Sequence, residues 1–568
     1  MAGTAKQAGP RSDAGVKAIL VGAAVLAWLA VAGAAKLGGV DTLGQNWVGI
    51  PLGLAMRRTS WTRDAWWWLG GEVLLLGALA FAVTWLVAAR RGKRSRVDDA
   101  AKLMGHGRDV ERASRRHAEQ VAAKLGVVAD EPGFLVGRNV ADSMSVYITW
   151  EDTALVVAGP RVGKTTSLAI PWTVAAPGMV VVTSNKRDLV DATRDVRAGV
   201  GRVWVFDPEH VVEEPQRWYW PVLTYVTDDQ HADQLAGHFV FSVNGKPSGD
   251  NAYFVNAARN LLSDLMLAAA LSNEPVTTVL RWLYQRKTPD PALTLRRAGY
   301  ALRADRLVGT QALAPAQQDG VYDTASTSVA CLSVRDIQPW VMRMGPDDQR
   351  DAFDPTKFVT GRNSLYSVSK EGTGVSAPLV TALTVAVAEA AEKQARRSPG
   401  GRLATPGLFC LDEAANVCKW EALPSLYSFY GSMGLVMATF LQSWPQGVRV
   451  WGEDGMRMLG SSANMFAYLG GVRDKAYLEE LAALIGSFDR RSVSTSQGRD
   501  SSSHSVSVQT TRELIMTVDE LAALPMGRAI VQVHQARPQL VQTVPWFVSN
   551  PHQDGIKASL KAHDPASK

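Results

Sequence analysis

Residues 153–172, TALVVAGPRVGKTTSLAIPW, constrain this chain more than any other stretch. The apolar run at 154–157 has the length and β-branched content of a buried strand. A tight loop follows at 158–163, and Lys164-Thr165-Thr166 then opens a helical pattern. Strand, glycine-bearing loop and helix start, in that order, converge backbone N–H groups and the positive end of a helix on one point, which suits a phosphate. The predicted cradle comprises Gly159, Pro160, Arg161, Val162, Gly163, Lys164, Thr165 and Thr166. Lys164 would reach the β- and γ-phosphates of ATP, and Thr165 would hold Mg2+. The full pattern begins with glycine. Here Ala158 stands in that place, with a methyl group that is sterically mild.

A second stretch supplies the matching carboxylates. The apolar run at 407–411 ends in Asp412-Glu413. Asp412 would position Mg2+ through water, and Glu413 would orient or deprotonate the attacking water. The next apolar run, 434–440, leads to Gln442, whose amide can both donate to a phosphate oxygen and accept from water. The catalytic set predicted from sequence is Lys164, Glu413 and Gln442, with Thr165 and Asp412 on the metal.

Further apolar runs at 178–183, 202–206, 364–368, 465–469 and 529–533 alternate with helical segments, which predicts an α/β fold around a parallel sheet. Helical periodicity takes over at 221–360. This reads as an all-α domain inserted between two parts of a nucleotide-binding domain, 131–220 and 361–550. Residues 90–130 are charged and alanine-rich and predict a helical linker. Residues 492–511, rich in Ser, Thr and Gln, read as a surface hairpin or loop, and the polar tail at 551–568 is expected to be disordered.

Two uncharged runs precede all of this. One, 18–35, lies between Lys17 and Lys36; the other, 73–89, extends back through Trp66-Trp67-Trp68 if Glu72 is tolerated. Each suits a hydrocarbon core about 30 Å thick. A two-helix membrane anchor is therefore expected at 18–35 and 68–89, with the tryptophans at the interface. Arg90, Arg91, Lys93, Arg94 and Arg96 follow the second run and assign the bulk of the chain, and the tail at 1–17, to the cytoplasm. A net charge of +6 over 568 residues permits contact with nucleic acid without demonstrating it. Cys331, Cys410 and Cys418 provide neither a disulfide framework nor zinc-ligand spacing, so no metal beyond Mg2+ is indicated.

The motifs AGPRVGKTTSLAIP, SNKRDL, VFDP, YWPVL, LFCLDEAANV, FLQSWPQ and TVDELAALPMGRAIV, in that order, resemble those of the coupling proteins of type IV secretion and bacterial conjugation, the TraG/TraD-like ATPases. The resemblance implies a RecA-like P-loop core with an all-α domain and an inner-membrane anchor. It also implies assembly as a homo-hexamer and delivery of relaxase-bound single-stranded DNA to a secretion channel. Besides Ala158 at the first P-loop position, the chain departs from the family in two further places. Ser184-Asn185-Lys186 lacks the acidic residue that many members carry two positions before the lysine. Gly431-Ser432-Met433 occupies the region where members often place an arginine that acts across a subunit boundary, which leaves Arg449, Arg473 or Arg512 for that role. Two alternatives stay open: a double-stranded-DNA pump resembling the FtsK-like conjugation proteins, and a protein-export motor or scaffold that does not bind DNA.

Overall fold

In the computed structural model the described residues are 28–40, 49–56, 60–90, 96–247, 249–372, 374–497 and 504–565. The chain divides into two compact units, Met1–Ser95 and Arg96–Lys568.

In the first unit, residues 28–37 are helical, and helices Gly49–Ala55 and Arg63–Arg90 follow. Ala32, Ala35, Val40, Ile50 and Ala65 form a small core. The expected two-span anchor is not supported: among the described residues no helix is long and apolar enough to cross a membrane. Residues 28–37 make only about 15 Å of helix, and residues 18–27 of the first expected span lie outside the described residues. The second helix opens with Arg63 and Asp64 and carries Glu72. One carboxylate oxygen of Glu72 is buried without a hydrogen-bond partner among the described residues. Arg63 and Asp64 precede the expected span 68–89, and Glu72 is the charge that falls inside it.

The second unit begins at once with packed structure. Residues 90–130, read from sequence as a linker, belong to its body from Arg96 onward. Val97, Ala100, Ala101 and Met104 enter the same core as Tyr468, Leu478 and Ile530, and Arg528 holds Asp98 with two hydrogen bonds, 2.7 and 3.0 Å. The strands, in chain order, are β1 (Phe134–Asn139), β2 (Ser145–Ile148), β3 (Ala154–Val157), β4 (Val180–Ser184), β5 (Val203–Phe206), β6 (Trp218–Tyr219), β7 (Asp351–Ala352), β8 (Ser364–Val368), β9 (Gly407–Leu411), β10 (Leu435–Leu441), β11 (Met465–Tyr468), β12 (Ser487–Gln497), β13 (His504–Leu514), β14 (Arg528–Val533) and β15 (Gln539–Gln542).

Eleven of them form one sheet in the order β2-β1-β15-β14-β11-β3-β10-β9-β4-β8-β5. From β11 to β5 every pairing is parallel, whereas β14, β15, β1 and β2 add antiparallel. Every residue of β3, β4, β8, β9 and β10 is buried. That burial explains their predominantly apolar sequences, because a parallel sheet is covered on both faces. The chain leaves β3, passes over β10 and β9 to β4, and later returns to fill both places. The carboxyl end of β3 is therefore a switch point, where open α/β sheets bind ligands.

The helical insertion runs between β6 and β7, which pair with each other and close its base. Its helices are Asp229–Asn244, Ala252–Leu271, Thr277–Tyr284, Asp290–Arg297, Ala301–Gln311 and Pro315–Ser328. Trp204, Phe206, Trp218, Trp340 and Phe353, in edge-on and tilted ring contacts, tie that base to the sheet edge.

One other segment differs from expectation. The tail read as disordered forms a helix, Gln553–His563. Ile556 is buried, Ser559 donates to Asp191 O at 2.5 Å, and Arg187 donates to His563 O at 2.8 Å. The polar composition reflects a short helix with one inward face rather than disorder. The Ser/Thr-rich segment is a two-stranded ribbon, β12 with β13, separate from the main sheet; its tip, 498–503, lies outside the described residues.

Candidate nucleotide site

The P-loop is held by backbone contacts to its neighbours in the sheet. Ala158 N–H donates to Leu441 O at the end of β10, and Gly159 N–H donates to Gly470 O after β11, both at 2.9 Å. A Cβ on Gly159 would lie 2.3 Å from the carbonyl oxygen of Gly471, so glycine is required there by close approach rather than by its dihedral angles. Ala158 is fully buried and has no positive φ, which explains why alanine replaces the usual first glycine. The loop turns through Arg161 at φ 60° and Gly163 at φ 89°. The helix that follows opens with a π-helical turn, Thr165–Ala169, before Ile170–Ala175. Pro171 lacks the N–H that would bond Ser167 O, and a widened turn accommodates that loss. Thr166 Oγ1 donates to Gly163 O at 3.2 Å. The Thr165 hydroxyl makes no hydrogen bond among the described residues and stays available to a cation.

Asp412 and Glu413 leave the tip of β9 and meet Lys164. The ammonium lies 3.2 Å from Asp412 Oδ1 and also contacts Glu413 Oε1. The two carboxylates are 5% exposed and the lysine 12%. Burial pushes the Asp412 carboxyl up to about 6 even though Lys164 opposes the shift. For Lys164, burial works against the charge, but Asp412 and Glu413 outweigh it and hold the ammonium above its ordinary range. Glu413 sits in the left-handed region at φ 54°, where a non-glycine residue is strained by ~1–3 kcal/mol.

Gln442 follows β10, the strand that lies between β3 and β9. Its side chain is half-buried and makes no hydrogen bond among the described residues. Two residues absent from the sequence reading complete the site. Asn416 Nδ2 donates to Glu413 Oε2, and Gln446 Nε2 donates to Asn416 Oδ1, each at 3.4 Å. Their only sequence signal is helical spacing, three residues after Glu413 and four after Gln442. Of the candidate arginines, Arg473 is exposed in the loop that begins at Gly470 against the P-loop, Arg449 is exposed, and Arg512 donates to Ser487 Oγ on the ribbon. None of the three pairs with Asp412 or Glu413.

The residues fit a magnesium nucleotide. The P-loop N–H groups and Lys164 suit phosphates, and Thr165 with Asp412 offers the sparse oxygen set that Mg2+ uses beside phosphate and water. Among the described residues no cluster of three or more His, Cys, Asp or Glu suits a protein-only metal site.

Residues 406–526 match the family model described as the TraM recognition site of TraD and TraG. Over these residues the chain is TraG/TraD-like. Its fold matches three structures of the bacterial conjugative coupling protein TrwB. The unbound form aligns with TM-score 0.54 at 15% identity, covering 74% of this chain and 92% of that one. TrwB with ADP and Mg2+ aligns with TM-score 0.53 at 16% identity, covering 77% and 93%. TrwB with the ATP analogue ADPNP aligns with TM-score 0.50 at 17% identity, covering 71% and 87%. No curated protein matches the sequence. The TraG/TraD-like segment includes β9, β10, β11 and the β12–β13 ribbon, so it carries Asp412, Glu413, Asn416 and Gln442.

Proposed function

We propose that the chain is a P-loop ATPase that uses Mg2+-ATP to recruit and move single-stranded, relaxase-bound DNA into a conjugative type IV secretion channel, working as a homo-hexamer at the inner membrane. The observation that carries this reading is the convergence of Lys164 on Asp412 and Glu413 at the switch point of the sheet. The TraG/TraD-like segment and the TrwB-like fold support the DNA-transfer half of it.

In this reading the β- and γ-phosphates replace the carboxylates as partners of Lys164. Bound Mg2+ would supply neutralising charge for the phosphate oxygens. Thr165 and Asp412 would hold it. Glu413, released from Lys164, accepts a proton from the attacking water or orients it, while Asn416 restrains its other oxygen. Gln442 stands at the strand tip between the two motifs and reports the state of the γ-phosphate to the segment beyond it.

The test is ATP turnover by the purified full chain, with and without single-stranded and double-stranded DNA. Mg2+-dependent hydrolysis stimulated more by single strands is expected. Stimulation by duplex alone would favour the double-stranded pump, and hydrolysis indifferent to DNA would favour protein export.

A further inference from the structure

Between the helical insertion and the sheet lies a cavity of about 610 Å3. Lys370, Lys419 and Arg449 line it, and no Asp or Glu is among its lining residues. None of these three cations forms an ion pair among the described residues. Lys370 and Arg449 are exposed at the opening. Lys419 is half-buried and donates to Ser242 O, 3.0 Å away in the last turn of helix Asp229–Asn244. Burial alone lowers the affinity of its amine for a proton. Two wall atoms, Ser242 Oγ and Gln446 Oε1, are buried with no hydrogen-bond partner among the described residues. Such a wall is poorly matched with itself: three cations with no ion pair among the described residues, and neutral polar atoms left unpaired, while the Glu209 carboxylate behind the wall is taken up by the backbone N–H groups of Lys370 and Val375.

We infer that this cavity is a second phosphate site, distinct from the P-loop, and that it takes the phosphate groups of a nucleic-acid strand or free phosphate. Lysine and arginine around a cavity whose lining holds no carboxylate match phosphate chemistry, and the volume suits one nucleotide unit. The site's position gives it consequence. Gln446 and Asn416 line the cavity and, through their hydrogen bonds, lead to Glu413 Oε2. A phosphate engaged by Arg449, one helical turn from Gln446, therefore sits within two side chains of Glu413. Charge and cavity shape alone define this site, which would exist even if the P-loop took no ATP.

The test is chemical footprinting of the full chain with a lysine-acylating reagent, read residue by residue by mass spectrometry without ATP. Three conditions are compared: buffer, a single-stranded deoxythymidine oligonucleotide, and sodium phosphate. Labelling of Lys370 is expected to slow several-fold in at least one of the two ligand conditions, and the protection is expected to vanish in Arg449→Glu and to weaken with added salt. Protection by the oligonucleotide alone identifies a strand as the source of the phosphate; protection by both identifies a general phosphate site. Unchanged labelling in both conditions overturns the proposal, as does protection that persists in Arg449→Glu. The wild-type footprint needs no variant, so it still decides for or against the site if Arg449→Glu fails to fold. ATP turnover does not enter the readout, so failure here and failure of the ATPase reading are separately visible.

Discussion

The ammonium of Lys164 lies 3.2 Å from Asp412 Oδ1 and also touches Glu413, so one P-loop cation meets both carboxylates that follow β9. Three nearly sealed charges with a net of minus one make a site that is satisfied only in part. Phosphates and a divalent cation would re-pair all three at once. In the proposed reading, the ion cluster is the resting form of the nucleotide site.

Lys164→Ala therefore removes more than a phosphate contact. It leaves two adjacent buried carboxylates without their cation, and breaking a buried pair in this way costs ~3–5 kcal/mol. Turnover is expected to fall by ~100-fold or more, with a lowered melting temperature at neutral pH that recovers partly in acid. Glu413→Gln, by contrast, should keep nucleotide binding and lose hydrolysis. Steady-state ATPase rates with parallel melting curves check both, and normal turnover in the two variants would remove the ATPase assignment.

Asp412 gives the fold a defined pH dependence. Its carboxyl is pushed up to about 6 by burial, from an unfolded value near 3.8. Between these values the folded state binds the extra proton, so this group costs stability as pH rises from about 4 to 6, and the cost is full above that window. Two pH units correspond to ~3 kcal/mol at most. Asp412→Asn should abolish this slope and raise the melting temperature of the ligand-free protein at pH 7 relative to pH 4, compared with wild type. A wild-type melting profile parallel to that of the variant from pH 4 to 7 would refute the assignment.

Two neighbouring small residues should respond in opposite ways. In Gly159→Ala the new Cβ would meet backbone atoms of Gly471, which cannot move aside as a side chain can. Nucleotide binding should fall sharply, as measured by calorimetric titration. Ala158→Gly restores the usual P-loop glycine and should preserve binding, at a stability cost of ~1 kcal/mol from backbone entropy. Equal binding by the two variants would contradict the close approach.

Gln442 and Asn416 separate signalling from structure. Gln442→Ala removes a side chain with no partner among the described residues, so the melting temperature should stay put and ATP affinity should remain within a few-fold. Basal hydrolysis should fall, and the ratio of DNA-stimulated to basal rate should fall further. Asn416→Ala frees one oxygen of Glu413 and should lower kcat while leaving KM for ATP nearly unchanged. A loss of thermal stability with an unchanged stimulation ratio would assign Gln442 a structural role only.

Much of this protein is written in short-range order. The buried strands read directly because a parallel strand covered on both faces favours a continuous apolar run, as Ala154–Val157 and Gly407–Leu411 are. The cradle from Gly159 to Thr166 read directly because strand, loop and helix are contiguous in the chain. Asp412 and Glu413 read because a carboxylate pair ends such a run. What the tertiary structure alone decided is long-range. Gly159 must be glycine because Gly471, after a different strand, presses against it. Asn416 and Gln446 become part of the site only when two helices bring them to Glu413. Residues 96–104 look like a linker until Arg528 captures Asp98, and the polar tail looks disordered until Ile556 and Ser559 find a buried seat. Hydropathy pointed to a two-helix anchor that the described helices do not support. A sequence window records each residue's own preference. It does not contain the partner, hundreds of residues away, that satisfies a buried polar atom or excludes a methyl group, and those partners complete the site.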